Sequence, residues 1–511
     1  MNRHFFYPLL SLMALSLPLQ AQDNEGFNHR EETRMALEDD LDGFHRESFS
    51  NFQFKTKTSS LQQEALETVT RTVVLAEAGT LATQLGEEMN LIDTLIVRGP
   101  INDDDLYTMW SASFYGVLQH LDIGQATLEG GVIPRFAFCH PSDQVDPSTG
   151  LFYTLWLKSI ILPEGVTEID ESAFSYAIKL EEVTFPSTLR KVGKYAFSDC
   201  TALKTDPLVF PEGFEEIGKY SFYHCPALKG EVKLPSSIKK IDERAFWQAK
   251  ISSINLPEGL ETLGDGVFQL CLLKEVILPE SCQDLSGDGH LGFNQYLEKV
   301  YLPEGIDSIP DRFFTSCISL QEVSLPSTVV HIGGQAFHSC NTLKELKLPE
   351  HLVSIGERAF TCLTNLEEIC FPPTMREIGP ASCDGWDNIK KIYCAAPVPP
   401  VCLESKTSSG HSYSSPFGSY DYNGGSGTPM STPVYIPKGT LEAYKNAPGW
   451  DYFHNFIETD EFPLTEIDAI QTSTTEGDGR MYDLMGRRIS KPAPGQIYIQ
   501  NGKKFVCPTN K

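Results

Sequence analysis

Basic residues are in short supply. The 511-residue chain carries 41 lysines and arginines against 68 aspartates and glutamates, a formal charge of −27. That balance argues against nucleic acid and anionic membrane surfaces as partners, because both repel it. Long apolar runs are missing after the first 21 residues, so no later segment is expected to span a bilayer. The first 21 hold Arg3, an apolar run over residues 5–19 and Leu19-Gln20-Ala21, an order that reads as a secretory signal with its cleavage site. No cysteine precedes Cys139, so that cleavage region has no thiol to take a lipid anchor.

Catalytic punctuation is missing too. There is no HExxH, no phosphate loop, no GxSxG turn and no CxxC. One GxGxxG, from Gly287 to Gly292, lacks the strand-and-helix setting that would present a helix end to a pyrophosphate. Asp103, Asp104 and Asp105 look like cation ligands, but the better expectation is a short helix capped by Asn102 or Asp103, with the acids at its positive end. Asp284, Ser286 and Asp288 open like a calcium loop, yet the twelfth position is Gln295 and not the bidentate glutamate the geometry needs. The expectation is a chain with no catalytic residues, no cofactor and no metal site.

What is present is repetition. Residues 180–200 read LEEVTFPSTLRKVGKYAFSDC, 320–340 read LQEVSLPSTVVHIGGQAFHSC and 343–363 read LKELKLPEHLVSIGERAFTCL. The proline after each apolar triplet recurs at Pro163, Pro186, Pro211, Pro235, Pro257, Pro279, Pro303, Pro326, Pro349 and Pro372, at steps of 22 to 25 residues. A period in the low twenties is the mark of a leucine-rich solenoid. In residues 273–278, Leu273, Val276 and Leu278 are expected to point inward and Ile277 outward, as in a strand. Pro279 has no amide donor and ends the run. Val192, Ile332 and Ile355 return inward, and Gly193, Gly333 and Gly356 follow them at a tight bend or a positive φ. Phe174, Phe197, Phe222, Phe246, Phe268, Phe337 and Phe360 give each turn a large apolar plug that only stacked neighbours can bury. The successive strands are expected to form one parallel sheet.

These residues resemble the BspA-type leucine-rich repeats of bacterial cell-surface proteins, over roughly residues 151–457. The resemblance implies a mainly β repeat protein: a leucine-rich-repeat solenoid with a parallel sheet, short helices and turns, and a small C-terminal β-module. It also implies adhesion to host proteins or to other bacteria, at the cell surface or outer membrane, or in secreted form.

The expected organisation follows the composition. Residues 1–21 are the signal, 22–71 an acidic spacer or N-terminal cap, and 72–150 atypical repeats. The regular array covers 151–402, with an irregular repeat at 281–293 that has lost the Ile-Gly-Ala-Phe step. A Ser/Gly-rich insertion, 403–432, is too polar to form a core. A cap over 433–460 closes the array, and 461–511 holds a linker and a short β-module for sorting or attachment. In that module Asn501-Gly502 marks a hairpin.

Thirteen cysteines in an exported chain suggest disulfides. Their spacing says otherwise, because Cys200, Cys225, Cys271, Cys317, Cys340 and Cys362 follow the plug at one- or two-repeat intervals, as a ladder of free, buried thiols. His224, His331, His338 and His351 fall at positions expected to be exposed.

Two outward columns remain as the binding candidate. Glu275, Glu322, Glu345 and Glu368 belong to one, and Ile277, Tyr301 and Tyr393 to the other. Neighbouring rungs lie about 4.8 Å apart, so Glu322, Glu345 and Glu368 would form a like-charge run, with Lys344, Lys347 and Lys390 to relieve it. One reading is a solvated face. The other is a non-catalytic adhesin or interaction scaffold whose acidic run and aromatics meet a surface protein or glycan. The alternative from another class is a secreted hydrolase or a carbohydrate-binding accessory subunit, which a compact acid and histidine cluster beside the insertion would support.

Overall fold

The computed structural model describes residues 68–139, 155–285, 287–406, 412–413, 415–418 and 427–463, with four short strands between 481 and 506. The signal, nearly all of the acidic spacer and about half of the insertion lie outside the described residues. The chain divides into two units, residues 1–68 with 140–153 and residues 69–139 with 154–511. Apart from Thr68, everything described belongs to the second.

Each turn of the coil has three sides. The first is the alternating strand. In Glu275–Ile277, for example, Val276 is 1% exposed between two half-buried neighbours. Its proline then starts a turn to the second side, as where the Pro163 carbonyl accepts the Val166 N–H at 3.3 Å. Gly165 fills the third position of that turn at φ 96°, a conformation that glycine adopts without steric cost.

The second side is a two-residue strand. Lys191–Val192 and Glu216–Ile217 pair in parallel, with the apolar residue inward in each. Outward, Glu168, Lys191, Glu216 and Lys240 alternate in sign along the ladder. Lys191 lies 3.2 Å from Glu168, the favourable arrangement for direct neighbours.

The third side carries the plug, and it is hydrogen-bonded although it is not a strand. The N–H groups of Tyr195, Phe197 and Asp199 donate to the carbonyls of Lys219, Ser221 and Tyr223 on the next turn, at 2.9, 2.7 and 2.9 Å. Residues two before and two after the plug are left-handed, as at Tyr195 and Asp199, both φ 57°. The alternation aims every second N–H along the coil axis, so the backbone stays paired through a tight bend.

On this side the phenyl rings stack in register. Phe138, Phe174, Phe197, Phe222 and Phe246 follow one another at 4.9 to 5.3 Å between centroids, with interplanar angles of 4° to 11°. All are fully buried.

Several expectations need correcting. The first side is not one sheet, because its pairing breaks after Thr184, after Ile254 and after Ser324. At the first break Pro207, which has no N–H, stands where neighbouring turns have Glu182 and Glu231. Between the last two parts, Glu345 and Glu368 form an isolated bridge. The glycines after the inward Ile or Val are not at positive φ. They permit close approach instead: a Cβ on Gly356 would lie 2.5 Å from the Gly334 nitrogen, and one on Gly379 2.4 Å from the Gly356 carbonyl carbon. In the irregular repeat His290 and Leu291 occupy the Ala-Phe places, since Phe268 N–H donates to His290 and Leu291 N–H to Phe313. The second ladder breaks there, with a single bridge between Thr262 and Asp284.

Both ends extend the ladder. Upstream, Thr70–Val74, Thr94–Ile101 and His120–Asp122 pair in parallel and join Ser159–Ile161. Helix Asp103–Phe114 packs beside them with Asn102 as its cap. Downstream, Val434–Pro437 and Phe456–Thr459 add two more parallel strands to Lys391–Cys394, so the expected cap prolongs the sheet. The insertion also contributes to the core. Cys383 N–H donates to the Pro416 carbonyl at 2.9 Å, which makes Phe417 the next plug. Phe417 is 0% exposed, against Trp386, Trp450 and Phe453. At the C-terminus four antiparallel strands form a small sheet, with Ile497–Gln500 and Lys503–Val506 flanking Asn501-Gly502 as expected.

Candidate functional site

The outward columns lie where the strand alternation puts them, and the breaks in the sheet divide them into two groups. In the first, Glu275, Lys299 and Glu322 are adjacent in register, and so are Ile277, Tyr301 and Ser324. In the second, Glu345, Glu368 and Lys391 follow one another, as do Cys370, Tyr393 and Tyr435. No described strand pairing joins the two groups.

The acidic run is relieved within its own column. Lys299 Nζ lies 2.9 Å from Glu322, and Lys391 Nζ lies 3.6 Å from Glu368. Lys390 pairs with Glu367 at 2.6 Å and not with the column. Its hydrogen bond, ahead of its charge, holds the Glu367 carboxyl below the usual range. Tyr301 and Tyr393 are half-buried, and burial, then the neighbouring Glu322 and Glu368 respectively, pushes their hydroxyls up.

An open groove of about 530 Å³ lies over the second group. Residues 344–348, 367–370 and 390–391 line it from three consecutive turns, and Pro463 closes one side. Pro463 gets there because the chain folds back after Phe456–Thr459. Phe462 reaches Tyr393 edge-on at 6.4 Å, and Tyr393 stacks on Tyr435 at 4.6 Å and 18°. Glu345 and Glu368 are thus brought into one concave site, and Tyr393, packed against Tyr435 and Phe462, borders it without lining it. Glu275, Ile277, Tyr301 and Glu322 lie outside it.

Sequence reasoning missed the groove, because Pro463 belongs to a segment outside the repeat. It also missed an aromatic cluster on the third side. Tyr195 stacks on Tyr220 at 5.0 Å and Tyr223 on Trp247 at 4.7 Å. Lys194 and Lys219 lie over Tyr195 and Tyr220 at 4.7 and 5.1 Å. The signal was the Lys-Tyr pair before each plug in residues 194–195 and 219–220. Tyr195, Tyr220 and Tyr223 are 5 to 7% exposed, and Tyr220 hydrogen-bonds Glu243 and Arg244 at 2.8 and 3.0 Å. This cluster seals the third side.

The other candidates have structural roles. The Asp105 carboxylate accepts the Gly79, Leu81 and Asn102 N–H groups at 2.6, 2.9 and 3.1 Å. Asp288 pairs with Arg312 at 2.7 Å. Residues 287–292 lie in a plug turn and precede no helix. His224 is half-buried and meets Asp199 at 2.7 Å, while His331 and His351 are exposed as expected. His338 is half-buried, against expectation, and burial followed by Arg358 lowers its pKa.

The twelve described cysteines are all free thiols. Cys200, Cys225, Cys271, Cys317 and Cys340 each donate to the carbonyl of a plug-position residue on the preceding turn, at 3.1 to 3.2 Å. Asn294 and Trp386 fill the same role toward Phe268 and Phe360. Cys362 is not in this ladder. It is the left-handed residue after its plug, φ 61°, and Leu363 stands in the ladder place.

Parallel turns of 22 to 25 residues with a buried Leu, Ile and Phe set define a leucine-rich-repeat solenoid. The family described as the BspA type leucine rich repeat region matches residues 148–271, 205–288 and 293–401, in six copies. The central array of this chain is a BspA-type leucine-rich repeat region.

Among solved structures, the chain is similar to a leucine-rich repeat protein from Bacteroides ovatus, with 28% identity, 47% of this chain and 79% of that one covered, and a TM-score of 0.33. It is similar to the pneumococcal vaccine antigen PcpA at 19% identity, with 66% and 86% covered and a TM-score of 0.41. A leucine rich cell surface protein from Faecalibacterium prausnitzii gives 22%, 54% and 77%, and 0.34. No curated protein matches the sequence.

Proposed function

We propose that this chain is an exported, non-catalytic scaffold of the bacterial surface that binds a surface protein or glycan through the outward face of its first side. The observation that carries this reading is the groove over residues 344–391. It gathers Glu345 and Glu368 with Lys390 and Lys391 in one concavity, and Tyr393 follows in the next position of the neighbouring outward column. Aromatic anchors are enriched at binding hot spots. Arg3, the apolar run 5–19 and Ala21 support export, and no helix among the described residues is long and apolar enough to cross a membrane. Around Phe417 the described neighbours are Trp386, Trp450, Tyr452 and Phe453, a packed aromatic shell that favours a scaffold over a hydrolase.

The test is capture of extracellular matrix proteins and a glycan array by the full chain. Three variants follow: Glu322, Glu345 and Glu368 together to Gln, Tyr301→Ala and Tyr393→Ala. Loss of a captured ligand in any of them supports the face. Unaltered binding by all three, with melting curves intact, moves the site elsewhere.

A further inference from the structure

Two sides of the coil and the phenyl stack weaken at the same place. On the first side no pairing joins Ser253–Ile254 to Glu275–Ile277. On the second, a ladder runs unbroken from Val132–Ile133 to Thr262–Leu263. It then keeps one bridge, Thr262 to Asp284, and pairing resumes only at Ser308–Ile309. The phenyl stack loosens and stops. Phe246 and Phe268 stand 5.9 Å apart at 19°, and Leu291 holds the next plug place.

The other breaks of the first side are different. After Thr184, Lys191–Val192 still pairs with Glu216–Ile217, and Phe197 still stacks on Phe222 at 5.2 Å and 8°. After Ser324, His331–Ile332, Ser354–Ile355 and Glu377–Ile378 pair in succession. Among the described residues of the array, the first two sides lapse together only between residues 254 and 308.

The third side crosses this seam intact. The N–H groups of Gly266, Phe268 and Leu270 donate to the carbonyls of Asp288, His290 and Gly292 at 2.8, 3.0 and 3.1 Å. Asn294 Nδ2 also donates to the Phe268 carbonyl at 2.8 Å. Side chains add less here than upstream. At the left-handed place before the plug, Tyr195 stacks on Tyr220 and Arg244 bonds the Tyr220 hydroxyl, whereas Gly266 and Gly289 stand there at the seam.

In a repeat array, stability is the sum of each turn's own contribution and of its interfaces with the neighbouring turns. A weak interface uncouples the turns on its two sides, and opening there costs less than opening elsewhere. We propose that the array is two cooperatively folded blocks, one ending at Leu263 and the other starting at Leu297. The coil opens between them on its first and second sides, while the third side holds them as a hinge. Both groups of outward columns, from Glu275 to Lys391, lie beyond the first-side break, so they move as one piece against the upstream turns. The inference does not depend on what that face binds.

The test follows hydrogen exchange of the full chain by mass spectrometry, in denaturant below the unfolding transition. Ile217 and Ile355 are buried on the second side of the two blocks. Ile217→Val is expected to lower protection about threefold over residues 180–241 and to leave residues 320–378 unchanged. Ile355→Val is expected to do the reverse. Phe197→Ala and Phe337→Ala should repeat the pattern at about a hundredfold, and the milder pair keeps the test open if either fails to fold.

Cys282 reports the opening itself. It is a free thiol, buried in the proline turn at the seam, and Cys225 and Cys340 are buried as fully within the blocks. In the native protein its thiol is expected to be labelled about tenfold faster than either. Equal loss of protection in both blocks for each substitution would make the array one cooperative unit and overturn the inference. Labelling of Cys282 no faster than of Cys225 and Cys340 would overturn it too, since the seam would not open ahead of the blocks.

Discussion

Cys340 donates its thiol proton to the carbonyl oxygen of Phe314, one turn earlier, at 3.1 Å. The same carbonyl also accepts the Cys317 N–H at 3.0 Å, so the thiol satisfies its second lone pair. This is why cysteine recurs there: it fills a small apolar space and still brings a weak donor. Cys340→Ala is expected to cost about 1–2 kcal/mol, from the lost bond and a small cavity. A melting curve identical to the parent would mean that the thiol only fills space.

The thiols should also be slow to react. Burial pushes the Cys317 thiol up to about 12 and pushes Cys200, Cys225, Cys271 and Cys340 up as well. The thiolate is the reactive form. In the native, unreduced protein a thiol reagent is expected to modify the partly exposed Cys362 ahead of these five, and after denaturation to find all five free. Failure to find them free would replace the ladder with disulfides.

Phe417→Ala tests whether the insertion belongs to the core. Phe417 and Phe197 are both 0% exposed, and truncating a fully buried phenylalanine costs about 3–5 kcal/mol. Phe417→Ala is expected to fall in that range alongside Phe197→Ala. If denaturant melts place Phe417→Ala within about 0.5 kcal/mol of the parent, as for an ordinary surface change, the insertion is not a turn of the coil.

Gly356→Ala should be costly for a different reason. The new methyl would lie 2.5 Å from the Gly334 nitrogen and 2.7 Å from the Gly333 carbonyl carbon. Backbone cannot rotate away as a side chain can, so adjacent turns must part, at about 1–3 kcal/mol. Tolerance of alanine would show that the coil is looser at this bend than its hydrogen bonds indicate.

His338 makes stability depend on pH. Burial, and then Arg358, hold its pKa below the ordinary 6.5, while Ser339 Oγ lies 3.0 Å from Nδ1. The unfolded chain therefore binds this proton more readily than the folded one. Its contribution is present above the ordinary value and is lost as pH falls through 6.5 toward the lower folded value. His338→Gln is expected to flatten the fall in melting temperature between about pH 7 and 5. Parallel slopes for parent and variant would rule the histidine out.

The sequence by itself determined the period, the inward set and the plug. Those depend on which residues recur at one spacing, and a repeat of about 23 residues that hides Leu273, Val276, Ile332 and Phe337 has few ways to fold except by stacking. The C-terminal pairing was legible for the same local reason, since an Asn-Gly step between two short apolar runs predicts the antiparallel pair Ile497–Gln500 and Lys503–Val506.

Tertiary structure alone decided what depends on the contact between turns. The glycine column is needed because the backbone of the preceding turn lies 2.2 to 2.9 Å from where the Cβ would be, a distance no single repeat contains. Phe417 took up the plug stack across an insertion that hid its period. The groove exists because residues 462–463 fold back onto Tyr393 and the turns of 344–391, and that contact joins parts of the chain with no common pattern. Even the acidic column changed its meaning, because Lys299 and Lys391 reach Glu322 and Glu368 only once parallel register has placed them side by side.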